Sequence, residues 1–397
     1  MEPRRPRRWV MVLLFLGFSS VSGTYWCSFG AVASQTAAYY SVDERLVNLF
    51  SLSFLIVYFP TAHLTSWLLS KSLYWTLLGC TIVNAVGGVV KWVVGRNYAL
   101  ALGAQFLLAT VNCAALVATS SVAETWFPPE EKLLSTAIGA LANCLGPGLG
   151  LALPLFLPDI PSILLVSASF GVLICVLFLL LARRDPPRED HSIHRSSLAK
   201  YLRQWRKVGL MVLCGSAVGT SFALMSLTQQ ILSHSGFDTA QSSLAGVSYI
   251  LGGTAGGLIA AALEAKSASY LLPLRTCLLL SLLTVTLLCL FLRSFPAVLA
   301  LMALFGLGFM GLIPLAVRLG VEAAYPLDES VPTNVLYASA ELWGLALTYP
   351  ILFFQQGTGL SGMWGVAACT WLFLFPLLFV SEPKRSPSLL IEEMIRS

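Results

Sequence analysis

Apolar runs of about twenty residues recur along almost the whole of this sequence, parted by short polar turns. A helix of that length covers the hydrocarbon core of a bilayer. No soluble domain buries so many such runs. Charged residues make up 11% of the chain, against about 25% in soluble domains. The sequence is therefore read as an all-α polytopic membrane protein. Its net charge of +5 sits at the edges of the runs, where Lys and Arg set topology. That distribution predicts a lipid partner and no nucleic acid.

The first run follows MEPRRPRRW and extends to about Gly30. It is too long for a signal peptide, so an uncleaved first helix is expected. Further spans are predicted at roughly 46–69, 74–94, 98–122, 133–156 and 161–182. A polar stretch over 183–207 carries eight Lys/Arg and three acids. Spans near 208–232, 242–263, 274–292, 297–319, 333–354 and 362–380 follow. The expected organisation is a six-helix half over 1–182, a basic linker over 183–207, a second six-helix half over 208–380, and a tail over 381–397. Basic residues gather on the side of the N-terminus, so both termini and the linker are expected in the cytoplasm. A piece near 198–205 reads either as an amphipathic surface helix or as a solvated linker helix. Six spans, a linker and six spans are the plan of the major facilitator fold, whose halves rock around a central site.

No catalytic set is visible, so an enzyme is not expected. There is no P-loop, GxSxG or HExxH. His191 and His194 stand in the linker without further ligands. The nine cysteines are scattered singly and read as small buried apolar residues, with no metal site and no cofactor implied.

One acid, Glu341, lies in the middle of the run TNVLYASAELWGLALTYP. A charge at that depth costs about 2.5 kcal/mol or more, and by default it marks a functional position. A structural acid held by hydroxyls on neighbouring helices is the plainer alternative. Trp26, in GTYWCSFG, is either an interfacial anchor or an aromatic wall that can hold an organic cation. Phe222, Ser226 and Gln230 follow one another at helical spacing in the seventh span. That stripe suits either a polar lumen or hydrogen bonding between helices. Gly146, Pro147 and Gly150 in NCLGPGLG mark a bending or close-approach point in the fifth span. Lys91 and Glu124 are read as boundary residues, with Lys91 snorkelling to the surface.

Taken together, RRWV with the Trp26 segment, SWLLSKSLYW, ETWFPPEE, NCLGPGLG, GTSFALMSLTQQILSHSGF and GVEAAYPLDESVPTNVLYASAELWG resemble solute carrier family 49. This is the feline leukaemia virus subgroup C receptor-related family of the major facilitator superfamily. The pattern of Glu322, Tyr325, Pro326 and Glu329 is the most specific part. The resemblance implies a secondary transporter for haem, for choline and ethanolamine, or for a vitamin-like amine. For the choline-carrying members it implies a site with a first-helix Trp, matched by Trp26. A seventh-helix Tyr is replaced by Phe222, a fifth-helix Gln by Cys144 and an eleventh-helix Gln by Glu341. The superfamily's acid in the loop between the second and third spans is replaced by Ser70.

The reading is a monomeric secondary transporter of a small cationic or amphipathic organic solute, working by alternating access around Trp26, Cys144, Phe222, Ser226, Gln230 and Glu341. A coupled proton on Glu341 is an added possibility. Haem transport and a non-transporting receptor or scaffold are the alternatives. The tail sequence SLLI resembles a dileucine sorting signal, which leaves the plasma membrane and endolysosomal membranes as locations.

Overall fold

A bilayer core holds no water, so each backbone N–H and C=O that crosses it needs a partner within the chain. The chain meets this demand with helices: α1 (Arg5–Cys27), α2 (Ala33–Tyr40), α3 (Glu44–Lys71), α4 (Leu73–Val93), α5 (Tyr98–Trp126), α6 (Pro129–Phe156), α7 (Ile160–Leu181), α8 (Trp205–Ser233), α9 (Thr239–Lys266), α10 (Leu271–Phe291), α11 (Phe295–Ala324) and α12 (Ser330–Phe354). The structure is a computed structural model, and it describes residues 5–127, 129–157, 159–184, 201, 203–233, 235–266, 271–324, 330–354, 367–372 and 375–379. Among the described residues, nine helices are long and apolar enough to cross a membrane. The proline-bearing α6, the Glu341 helix α12 and the apolar stretch Ala367–Phe379 occupy the remaining predicted spans. Most of the linker, all of the tail, the histidine pair, Tyr325, Pro326, Glu329 and the side chains of Glu124 and Glu322 lie outside the described residues.

Several helix starts are written locally. Asp43, Ser72, Asn97 and Asp159 each accept a hydrogen bond from a backbone N–H in the first turn of α3, α4, α5 and α7. Such a cap is worth about 1 kcal/mol. The short helix α2 is absent from the hydropathy reading. Its eight residues are too few to register as a span, and it ends at Ser41 in a left-handed turn with φ 56°.

Helix α1 lies deep in the first half and packs on α5, α6 and α7. Its stretch Ser19–Thr24 is made of small residues, and three of their side chains bind other helices. Ser19 Oγ donates to Asn143 Oδ1 at 2.8 Å, and Ser22 Oγ donates to Asn112 Oδ1 at 3.0 Å. Thr24 Oγ1 donates to the Gly146 carbonyl at 3.1 Å. The α6 glycines make this approach possible. A Cβ on Gly146 would stand 2.5 Å from the Ser20 carbonyl oxygen, and one on Gly150 would stand 2.8 Å from that of Thr24. Small residues at such crossings let backbones meet and replace the hydrophobic drive that lipid removes.

The two halves meet along α6–α9 and α3–α12. Gly148 faces Ile250 in the first seam and Gly246 faces Leu151. The end of the bundle where α1 begins is called the near end below, and the opposite one the far end. Asn334 on α12 donates to Ser66 on α3 at 2.9 Å, tying the halves at the near end.

Candidate substrate site between the halves

Glu341 is 3% exposed on α12, and its Oε2 has no hydrogen-bond partner among the described residues. Tyr58 on α3 and Cys113 on α5 stand close enough to feel its charge. Tyr337, one helical turn before Glu341, adjoins Tyr58. The Tyr58 hydroxyl is buried beside the Cys113 thiol. One turn beyond Glu341 comes Gly344, whose Cβ would stand 3.0 Å from Leu55 Cδ2 on α3 and 3.5 Å from Phe222 Cβ on α8. The same face of α12 therefore carries Glu341 and meets Phe222.

Phe222 packs edge-on against Trp26, with ring centroids 5.1 Å apart and planes at 82°. This geometry presents one ring's positive edge to the other's negative face. Among the described residues, Trp26 Nε1 is buried without a hydrogen-bond partner, as is the Ser226 hydroxyl one turn beyond Phe222. An unpaired buried polar group costs about 1–3 kcal/mol. An indole N–H, a hydroxyl and a carboxylate oxygen, on α1, α8 and α12, share that state among the described residues. A site that binds and releases a polar solute has to keep such groups unspent within the protein.

Gln230 is placed differently from its neighbours on the stripe. Its Nε2 donates to Asn48 Oδ1 at 2.8 Å, and Asn48 Nδ2 returns a bond to Gln230 Oε1 at 3.4 Å. This paired amide clasp joins α3 to α8 at the far end. Ser51 Oγ donates to the Trp26 carbonyl at 3.2 Å, and Gly30 packs on the backbone carbonyls of Met225 and Ser226. The far end is thus closed over Trp26. Gln230→Leu leaves the buried Asn48 amide unpaired, at a cost of about 1–3 kcal/mol to the closed arrangement. The expected result is faster thiol labelling of Ser226→Cys from the far side when Gln230→Leu is added.

Cys144 stands on α6, and its side chain lies outside the described residues. Gly146, Pro147 and Gly150 form the α1–α6 crossing, with Pro147 Cδ 2.5 Å from where a Cβ on Gly23 would sit. Asn48, Tyr58 and Cys113 escaped the sequence reading. Tyr58 and Cys113 look like ordinary members of apolar runs, and Asn48 stands near a helix start where polar residues are common.

Lys91 corrects an expectation. It does not snorkel, being 1% exposed, and its Nζ donates to Gln105 Oε1 at 2.5 Å. The ammonium also sits over the Phe29 and Phe50 rings, at 4.2 and 5.1 Å from their centroids. Nearness to a helix end in sequence did not reveal that this side chain turns inward. For the haem alternative, which asks for side chains that can reach iron, Tyr25 spends its hydroxyl on the Ser167 carbonyl at 3.0 Å. His63 is on the exposed face of α3.

Residues 13–347 match the family model described as Major Facilitator Superfamily. The choline/ethanolamine transporter flvcr2b of Danio rerio is 25% identical over 374 residues, covering 86% of this chain and 77% of that protein. Solute carrier family 49 member A3 of Danio rerio is 24% identical, covering 85% of this chain and 76% of the relative. The choline/ethanolamine transporter FLVCR1 of Felis catus is 23% identical, covering 93% and 71%. Among solved structures, a D-xylose-proton symporter superposes with a TM-score of 0.73 at 11% identity, over 95% of this chain and 99% of that one.

Proposed function

Because this chain belongs to the Major Facilitator Superfamily, we propose that it carries a small organic cation by alternating access, with Trp26 and Glu341 reading the positive charge. The observation that carries this reading is the buried Glu341 carboxylate oxygen without a hydrogen-bond partner among the described residues, on the α12 face that meets Phe222 and, through it, Trp26. A carboxylate attracts an ammonium by charge, and an indole face attracts it through its quadrupole. The similarity to choline/ethanolamine transporters supports an amine of that class.

The near end is cytoplasmic in this proposal, with both termini on that side, because the N-terminal arginines and the linker's basic cluster flank it. The working unit is a monomer made of a half over 1–182 and a half over 208–380. No metal or cofactor is needed for the carrying step, and no catalytic step accompanies it. The same carboxylate that holds the cation can take a proton when the cation leaves, which would couple the two.

The test is uptake into proteoliposomes of choline, ethanolamine, pyridoxine and haem, with and without a pH gradient. Saturable uptake of an amine is expected. Well-folded protein that moves haem and no amine would contradict the proposal. Trp26→Ala removes a contact worth about 0.5–2 kcal/mol, so KM for the transported amine should rise roughly 2- to 30-fold. Trp26→Phe should recover part of that loss.

A further inference from the structure

Lys91 is the strongest buried group that the carrying step does not use. It projects from the last turn of α4 into a cage of Phe29, Phe50 and Gln105, all of them buried. Gln105 on α5 cannot turn freely. Its Oε1 accepts the Lys91 ammonium, while its Nε2 donates to two backbone carbonyls, those of Tyr25 and Phe50, at 3.0 Å each. Tyr25 directly precedes Trp26 at the C-terminal end of α1, where carbonyls lack helical partners. Phe50 directly precedes Ser51, whose hydroxyl donates to the Trp26 carbonyl. The two carbonyls that bracket Trp26's peptide unit are therefore held from α5 and from α3. Phe29, just past the end of α1, closes the loop by packing on Phe50 at 4.9 Å and on the ammonium itself.

We infer that Lys91 is a positioning residue for Trp26: through Gln105, Phe29 and Phe50 it pins the end of α1, and so fixes the indole in the closed far end of the substrate site. A charge-assisted hydrogen bond makes a firmer pin than a neutral one. A planar amide with one acceptor and a divided donor can serve both carbonyls only if its oxygen is satisfied elsewhere. Lys91 supplies that partner and takes its own compensation from the two rings. This inference rests on Trp26 acting in substrate binding, but the pinning itself is measurable without any substrate.

The probe is Cys27, which is buried and adjoins Trp26. In a variant with the other eight cysteines replaced by serine, labelling of Cys27 by a membrane-impermeant maleimide reports release of the α1 end. Lys91→Met should label about tenfold faster, as expected for roughly 1.4 kcal/mol of lost closed-state preference, while Lys91→Arg should stay protected. In proteoliposomes Lys91→Met should raise KM for choline, leave Vmax within about twofold, and be rescued by Lys91→Arg. If Lys91→Met is not recovered folded, Phe29→Leu carries the labelling test, with an increase of about threefold expected from losing one ring contact. Unchanged labelling in these variants would overturn the inference, as would equal labelling of Lys91→Met and Lys91→Arg, which would make Lys91 a space filler. Absence of choline flux in the parent protein would count against the proposed function and leave the labelling result to decide the pinning.

Discussion

Glu341→Gln is expected to lower uptake of the transported amine about a hundredfold, with the loss chiefly in KM, because the change removes roughly 2–3 kcal/mol of charge attraction. The amide keeps the shape and can still accept a hydrogen bond, so the difference reports charge. At 4 Å and an effective dielectric near 20, one charge pair is worth about 4 kcal/mol, and the amide's dipole recovers part of it. The pH dependence should disappear together with the affinity. In the parent protein, a proton and the cation compete for one carboxylate, so acidifying the loading side raises KM. In Glu341→Gln no such competition exists, and KM is flat across the same range. Thermal stability should hold or rise, since the side chain carries a buried oxygen without a hydrogen-bond partner among the described residues. Initial uptake rates at several pH values, with thermal unfolding on the same preparations, check all three points. A structural acid would behave in the opposite way: Glu341→Gln would destabilise the protein and leave KM unchanged.

Gly146→Val is expected to abolish folding, or to cost roughly 3 kcal/mol or more. The new Cβ would stand 2.5 Å from the Ser20 carbonyl oxygen, 2.9 Å from Ser20 Cα and 3.0 Å from Gly23 Cα. All three are backbone atoms, which cannot turn aside as a side chain can. Moving α1 off α6 would also break the Thr24–Gly146 bond and disturb the helix that carries Trp26. Gly103→Ala on the exposed face of α5 is the control. Nothing lies within 4 Å of its Cβ position, so helix propensity alone acts, and a gain of up to about 1 kcal/mol is expected. The monodisperse fraction in detergent and the thermal midpoint separate the two variants.

These residues also show which parts of the molecule can be read without coordinates. The spans were legible because bilayer thickness dictates their length, and a run of apolar residues carries that length openly. Helix α2 was not, since eight residues at the far end answer to packing against α3 and α7 and not to the bilayer. Glu341 was legible as an exception to its surroundings. The Trp26–Phe222 pair was only half legible: helical spacing placed Phe222 on a stripe with Ser226 and Gln230, but it could not say that Trp26 stands opposite. Partners such as Asn48 and Gln230, which are 182 residues apart, are chosen by how two halves close on each other. Lys91 was misread for a related reason: a position near a helix end is compatible with either face, and the aromatic cage that draws the ammonium inward comes from two other segments. The glycines of α6 signalled irregularity, and the structure turns that signal into a close crossing with α1.

A site that reads positive charge is tested most directly by comparing choline with its neutral isostere, 3,3-dimethylbutan-1-ol, as competitors of radiolabelled choline uptake in proteoliposomes. Unlabelled choline should compete at least about tenfold better than the isostere in the parent protein, and the ratio should fall towards one in Glu341→Gln. Equal competition by the two in the parent protein, or a ratio unchanged by Glu341→Gln, would contradict a cation held by Trp26 and Glu341.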